Sequence, residues 1–380
     1  ILPDFLQAVL ESGCGSHPKS VSKFTIQMNR KSYLLAHIEP TKDIGLEIGA
    51  LCDPTVERAE GEIKFVDYLD TEQLKKHYKN EPEKDPSQVV DVDYVWSNNT
   101  LREALGPDLF FDYVIASHVI EHTPNMITWL YQIAEVLKPG GVLSLAIPDK
   151  RYIFDCLRQT STTADLVDAF LCKVQQPTVR QVFDFISNYA EIDQQKALAG
   201  DAQGAVLRVT NPDLQHAYHV CRDQVIKKGL YSEAHCGVFT PQSFLAILSD
   251  LITLELFDFR LLSFEQFPGV GGEFFVTLER LDDQLTIKQK LSLQRESLPA
   301  GVERIGDRPT TEEKQRLMRE TLALTPEHEN RNSLEQPQLD EAQTEKTQLL
   351  EDELRLIKNS NSWRLTAPLR YFRRRLTAKE

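Results

Sequence analysis

Paired cysteine spacing is missing from this chain: its six cysteines (Cys14, Cys52, Cys156, Cys172, Cys221, Cys236) include no Cys-x-x-Cys. A chain of 380 residues also has no need of a disulfide scaffold, so free thiols in a reducing compartment are expected. Positive charge is scarce, with 43 Lys and Arg against 57 Asp and Glu and a net charge of -14. That balance excludes a general nucleic-acid binder, which needs a basic face. The longest apolar run, "FLAILSDLITLELFDFRLL", is broken by Asp250, Glu255 and Asp258, and the N-terminal "ILPDFLQAVLESG" has no basic flank. Neither a membrane span nor a signal peptide is therefore read, and a cytoplasmic protein is expected. The chain opens on Ile, as a segment of a longer protein would. No internal repeat is present.

Aromatic residues are absent between Phe275 and Trp363, a stretch rich in Glu, Gln, Lys and Thr. Such a segment cannot fill a core, so 283–345 reads as a flexible linker. A helical stripe at Leu350, Leu354 and Ile357 opens a tail, 346–380, whose last part, 362–380, is basic: Arg364, Arg370, Arg373, Arg374, Arg375 and Lys379 stand there against Glu380. The acidic surplus lies upstream of that tail.

With 41% hydrophobic residues the remainder can bury a full-sized core. Short apolar runs alternate with helical patterns from 44 to 147, the mark of parallel βαβ units. Strands are expected at 44–50, 63–67, 88–93, 111–117 and 141–147, with a helix entered through Thr123 and Pro124. Residues 150–235 break the rhythm and read as a helical lid inserted over the sheet. Thr240-Pro241 then starts another helix, and "LELFDFRLLSFE" and "GEFFVTLER" supply two closing strands. The division expected is an extension at 1–40, a main domain at 41–282, the linker and the tail.

"ASHVIEHTPN" contains His118-x-x-Glu121-His122, a spacing known from zinc metallopeptidases. That chemistry needs both histidines on one helical face, four residues apart. Here His118 ends a strand and His122 sits at a helix entrance, so the shared face is not expected. Glu121 and His122 read as structural, tying the turn to the helix. His216, His219, Cys221, His235 and Cys236 lack compact spacing, and no metal ligands are assigned.

A doubly wound sheet binds ligands at the carboxyl ends of its strands. Glu47 and Gly49, followed by Ala50, end the first strand, and Gly49 lets a ligand approach the backbone. Asp67 ends the second, placed to accept two hydrogen bonds from a ribose diol, while Asp70 caps the next helix. Asp93, or Asp91 in its place, ends the third within reach of an adenine amino group, beside Tyr94 and Trp96. Ser117 and His118 end the fourth.

These motifs ("LEIGA", "FVD", "DVD", "SHVIEH", "LKPGGVLSLAIPD") resemble class I S-adenosylmethionine-dependent methyltransferases over 40–150, and more weakly over 240–280. The resemblance implies a seven-stranded Rossmann-like sheet with an antiparallel last strand and S-adenosylmethionine held by Glu47, Asp67 and Asp93. One departure stands out: the family's Gly-x-Gly-x-Gly loop is Gly49-Ala50-Leu51-Cys52-Asp53 here, with one glycine of three. The tail stretch "SNSWRLTAPLR" resembles a short motif of bacterial glycosyltransferases and glycan-assembly proteins. It implies a sugar or glycan acceptor and a tail that docks on a glycosyltransferase partner or an anionic membrane surface. His235, where the lid returns to the crevice, is the general-base candidate. The competing expectation is a catalytically inactive scaffold for glycan enzymes, which the altered glycine loop favours.

Overall fold

The computed structural model describes residues 30–81, 84–97, 99–209, 214–266, 272–300 and 302. The expected tail and most of the expected linker lie outside the described residues. Among the described residues there are nine strands: β1 (Ile44–Ile48), β2 (Glu62–Asp67), β3 (Tyr94–Val95), β4 (Phe111–Ser117), β5 (Leu137–Pro148), β6 (Ala190–Ile192), β7 (Val206–Val209), β8 (Phe259–Gln266) and β9 (Glu273–Arg280). Seven form one sheet in the order β3-β2-β1-β4-β5-β9-β8, and β6 and β7 pair separately. Strands β1 to β5 run parallel to one another, whereas β9 is antiparallel to both β5 and β8. This is the doubly wound sheet expected, with its order reversing between β1 and β4.

Both faces of the sheet are covered, which its central strands anticipate by running mostly apolar rather than alternating apolar with polar. Along β4, Val114 and Ala116 enter one core while Tyr113 and Ile115 enter the other. The first core is sealed by helices α3 (Met126–Val136) and α7 (Pro241–Thr253); Ile127, Ile133, Leu248 and Leu251 are fully buried there. Each such side chain contributes about 1.5–3 kcal/mol. Helix α7 begins at the expected Thr240 cap with Pro241 in the first turn. Helix α3 is capped by Asn125 rather than Thr123, because the Ile120–His122 stretch first makes a tight 3-10 turn. The second core takes Leu34 and Ile38 from the N-terminal extension, and Tyr33 stacks on Phe275 at 5.1 Å.

Helix α1 (Thr71–His77) follows β2 and is capped by Asp70, as expected. The third strand departs from expectation. It occupies Tyr94–Val95 rather than 88–93, where Pro86–Gln88 forms a helical turn. Helix α2 (Leu101–Leu105) then leads to β4.

The insertion after β5 carries α4 (Thr163–Leu171), α5 (Val179–Ser187), the antiparallel pair β6 and β7 with two short helical turns between them, and α6 (Leu214–His219), which runs into a wide helical turn, Val220–Ile226. It has a small core of its own, built on Val182, Ile186, Ala217, Val220, Cys221 and Ala234. The chain returns to the sheet where Phe239 bridges Asp149. Helix α8 (Ile287–Ser297) falls where composition pointed to linker, yet it packs on the sheet. Its buried Gln294 donates to the carbonyls of Phe257 and Phe259, a placement a local composition count does not reveal.

Candidate active site

Adjacent strands place three of the expected residues level with one another. Ile48 pairs with Val66 on one side and Ala116 on the other, so Gly49, Asp67 and Ser117 emerge side by side at the carboxyl edge. Gly49 donates its amide to Val66 at 3.0 Å and turns the chain with φ +68°. A Cβ at Gly49 would sit 3.2 Å from Val119, so the β1 loop and the β4 turn are in close approach here. Ala50 accepts a 3.1 Å hydrogen bond from Asp53, closing the loop without the two further glycines of the family pattern.

Glu47 is buried, and its carboxylate accepts from the amides of Thr55 at 2.8 and 3.0 Å and of Val56 at 3.3 Å. Burial raises its pKa against the lowering effect of those amides. The residue expected to touch the cofactor is thus turned into the protein, where it folds the 50–56 loop. Asp93 likewise departs from its expected role. It precedes β3, and its Oδ2 accepts from Arg58 at 2.8 Å and the Phe65 amide at 2.7 Å, holding the edge of the sheet. The level beside Asp67 belongs to Val95, followed by Trp96.

Asp67 remains available. Its carboxylate takes the Tyr68 amide at 2.7 Å, and among the described residues no cation pairs with it. Burial pushes its pKa up to about 6. An acid buried at a strand end with spare acceptor capacity suits a ribose diol, and Gly49 leaves the space a Cβ would fill. These two positions fit an adenosyl group.

Ser117 accepts a hydrogen bond from Arg30, whose Nε also pairs with Glu273 at 2.8 Å. His118, at φ +53°, sets its Nε2 2.8 Å from the other Glu273 oxygen. Burial alone lowers the His118 pKa, but Glu273 and Glu121 outweigh it and hold it above the ordinary value. His118 is thus tied to β9 at the crevice lip. Arg30 and Glu273 were not foreseen, because only the fold brings the extension and β9 to the end of β4.

His235 returns from the lid into a buried polar cluster. Its Nδ1 lies 2.6 Å from Asp155 Oδ2, and Asp155 Oδ1 accepts from Arg158 at 2.8 Å. Burial would raise the Asp155 pKa, but His235 and Arg158 hold it below the usual value. Phe154 and Phe185 flank the imidazole at 4.8 and 5.7 Å, and His122 meets it edge-on at 4.6 Å. Burial, with His235 and His118 nearby, pushes the His122 pKa down to about 3. The Glu121 carbonyl accepts from the amides of Cys236 at 2.6 Å and Gly237 at 2.8 Å, stitching the turn to the lid's return. Its backbone has the structural role expected, but its carboxylate is fully buried without a hydrogen-bond partner. Asp155 was missed; the only local signal was an acid three residues before Arg158.

The model of one protein family, described as a methyltransferase domain, matches residues 7–247. No curated protein matches the sequence. Among solved structures, the CcbJ methyltransferase from Streptomyces caelestis aligns with 33% of this chain at 16% identity and a TM-score of 0.24, and this spans about half (54%) of the CcbJ chain. The N-methyltransferase NodS from Bradyrhizobium japonicum WM9 aligns over 69% of this chain and 100% of its own, at 10% identity and a TM-score of 0.33. A SAM-dependent methyltransferase from Methanosarcina mazei aligns over 65% and 95%, at 14% identity and a TM-score of 0.29. The family match spans well over half of the chain, and the strand ends accommodate an adenosyl group. The chain belongs to the methyltransferase domain family.

Proposed function

We propose that the chain methylates a hydroxyl of a sugar or glycan precursor in bacterial polysaccharide assembly. The observation that carries the reading is the buried Asp155–His235 pair, which meets the turn after β4 through His122. Asp155 holds the proton of His235 on Nδ1, which leaves the lone pair on Nε2 for an incoming hydroxyl proton. S-adenosylmethionine supplies an electrophilic methyl group and leaves as S-adenosylhomocysteine. The protein contributes alignment and a proton acceptor. Asp67 fixes the ribose, the Gly49 turn admits the donor's backbone-side approach, and His235 takes the proton as the acceptor oxygen bonds to the methyl carbon. The sugar class of the acceptor rests on the likeness of residues 360–370 to glycan-assembly proteins.

The test is calorimetric titration of S-adenosylmethionine and S-adenosylhomocysteine into the chain, with Asp67→Ala as control, followed by a screen of sugar acceptors for methyl transfer. Micromolar binding lost in Asp67→Ala, with a sugar ether as product, is expected. Absence of binding at millimolar ligand defeats the reading and leaves a scaffold of the same fold.

A further inference from the structure

Glu121 presents an unusual arrangement. Its side chain is 0% exposed, and neither carboxylate oxygen has a hydrogen-bond partner. A buried ionised carboxylate is tolerated where a cation satisfies it. The nearest basic group is His118, whose Nδ1 lies 3.6 Å from Oε1, beyond hydrogen-bond reach, and whose Nε2 is committed to Glu273. His122 adds a second unsatisfied atom, since its buried Nδ1 has no hydrogen-bond partner and the nearest acid, Glu233, is 3.7 Å away.

The third member is His235, with Nδ1 engaged by Asp155 and Nε2 left to bind. Ligand atoms of Glu121, His122 and His235 all lie within 4.8 Å of one another. Around a bound first-row ion such atoms lie roughly 3 Å apart, so modest side-chain rotation closes the set. The spacing between the turn and the lid's return is already fixed by the Cys236 and Gly237 amides on the Glu121 carbonyl. His118 borders the set without joining it: Glu273 holds its Nε2, and its Nδ1 faces Glu121 at 3.6 Å.

We infer that Glu121, His122 and His235 form a site for a first-row divalent metal ion, closed on the protein side by Asp155 and open toward the methyl acceptor. Two imidazoles and one carboxylate select zinc, manganese or cobalt over magnesium and calcium, which prefer all-oxygen surroundings. Asp155 supplies the outer carboxylate that ligating histidines commonly require, and Arg158 anchors it. Three protein ligands leave coordination positions free, as catalytic rather than structural sites do. The turn that carries Glu121 and His122 begins at Val119, which packs against Gly49, so the open positions border the donor's methionine end.

This deepens the proposed sugar methylation and rests on it for the substrate: a sugar with two adjacent hydroxyls would chelate the ion. The ion then replaces His235 as the group that activates the acceptor. The bound hydroxyl releases its proton to solvent, its oxygen keeps the electron pair that bonds to the methyl carbon, and the carbon–sulfur bond breaks with its pair on sulfur.

The full chain, stripped with a chelator, is titrated with Co2+ and followed by visible absorption, with Zn2+ displacement and elemental analysis. One Co2+ per chain, displaced by Zn2+, is expected. Glu121→Gln and His122→Asn should each weaken it at least about 100-fold while S-adenosylmethionine binding, the check on folding, persists. Asp67→Asn should keep Co2+ and lose the donor. No Co2+ on the wild-type chain, or binding unchanged in both ligand variants, overturns the metal site. Donor binding without metal leaves the methyltransferase reading standing; metal without donor defeats that reading and spares the site.

Discussion

Asp155 and His235 are 80 positions apart in the chain and 2.6 Å apart in the fold, both buried, with Arg158 on the far side of the carboxylate. The pair lies where the lid leaves the sheet and where it comes back, so the lid's closure and the orientation of the imidazole are one structural event. An asparagine at 155 keeps the shape but removes the charge that balances Arg158.

Asp155→Asn is accordingly expected to lower stability by roughly 3 kcal/mol at neutral pH, measured by chemical denaturation. The Asp155 pKa is held below its ordinary value, so its contribution is present above the unfolded value and disappears as pH falls through the folded one. Wild type and variant should therefore converge in acid. Methyl transfer should fall about 100-fold with donor affinity unchanged.

For Asp67 the signs reverse. Its pKa rises from 3.8 to about 6, so burying the charged form costs about 2–3 kcal/mol above pH 6, and that cost vanishes below pH 4. Asp67→Asn should raise the melting temperature at pH 8, have little effect at pH 4, and weaken S-adenosylmethionine binding about 100-fold by calorimetry. In the wild type, donor affinity should drop as pH falls through 6, where the carboxylate loses an acceptor.

Gly49→Ala tests the close approach at the β1 loop. It adds about 1–2 kcal/mol of left-handed backbone strain and presses on Val119. Gly106→Ala, at φ +89° with nothing within 4 Å, carries the strain alone. Both should melt earlier, but only Gly49→Ala should weaken donor binding; equal donor affinity in the two would show that the loop does not line the site.

Glu47→Gln separates a loop anchor from a direct ligand contact. The amide can accept through one oxygen and turns an NH2 toward the Thr55 and Val56 amides, costing about 1–3 kcal/mol. Hydrogen exchange at 50–56 should accelerate. If exchange there is unaltered while donor affinity collapses, Glu47 acts on the ligand itself.

The sheet was legible in the sequence because its information is local. Apolar runs such as "FDYVIAS" match β4 residue for residue, and caps such as Asp70 and Thr240 act within a turn of their own helix. The third strand was misplaced because "QVVDVD" is apolar enough for a strand, whereas Pro86 and the Asp85 cap turn its start into a helical loop. Asp67 could be singled out because a strand end followed by a separate cap leaves a carboxylate free, an inference needing only neighbours in sequence.

Direction and company of side chains were not legible. Glu47 and Asp93 have the right type and spacing to meet a ligand, but loop amides and Arg58 reach them first, and those partners are set by how the chain folds back. Local pattern alone determined the doubly wound fold, its family and the crevice's edge, since alternation and capping act over a few residues. Only the tertiary structure decided that His235 is gripped by Asp155 and faces Glu121 and His122, because burial and long-range contact choose which polar atoms are paired and which are left to bind.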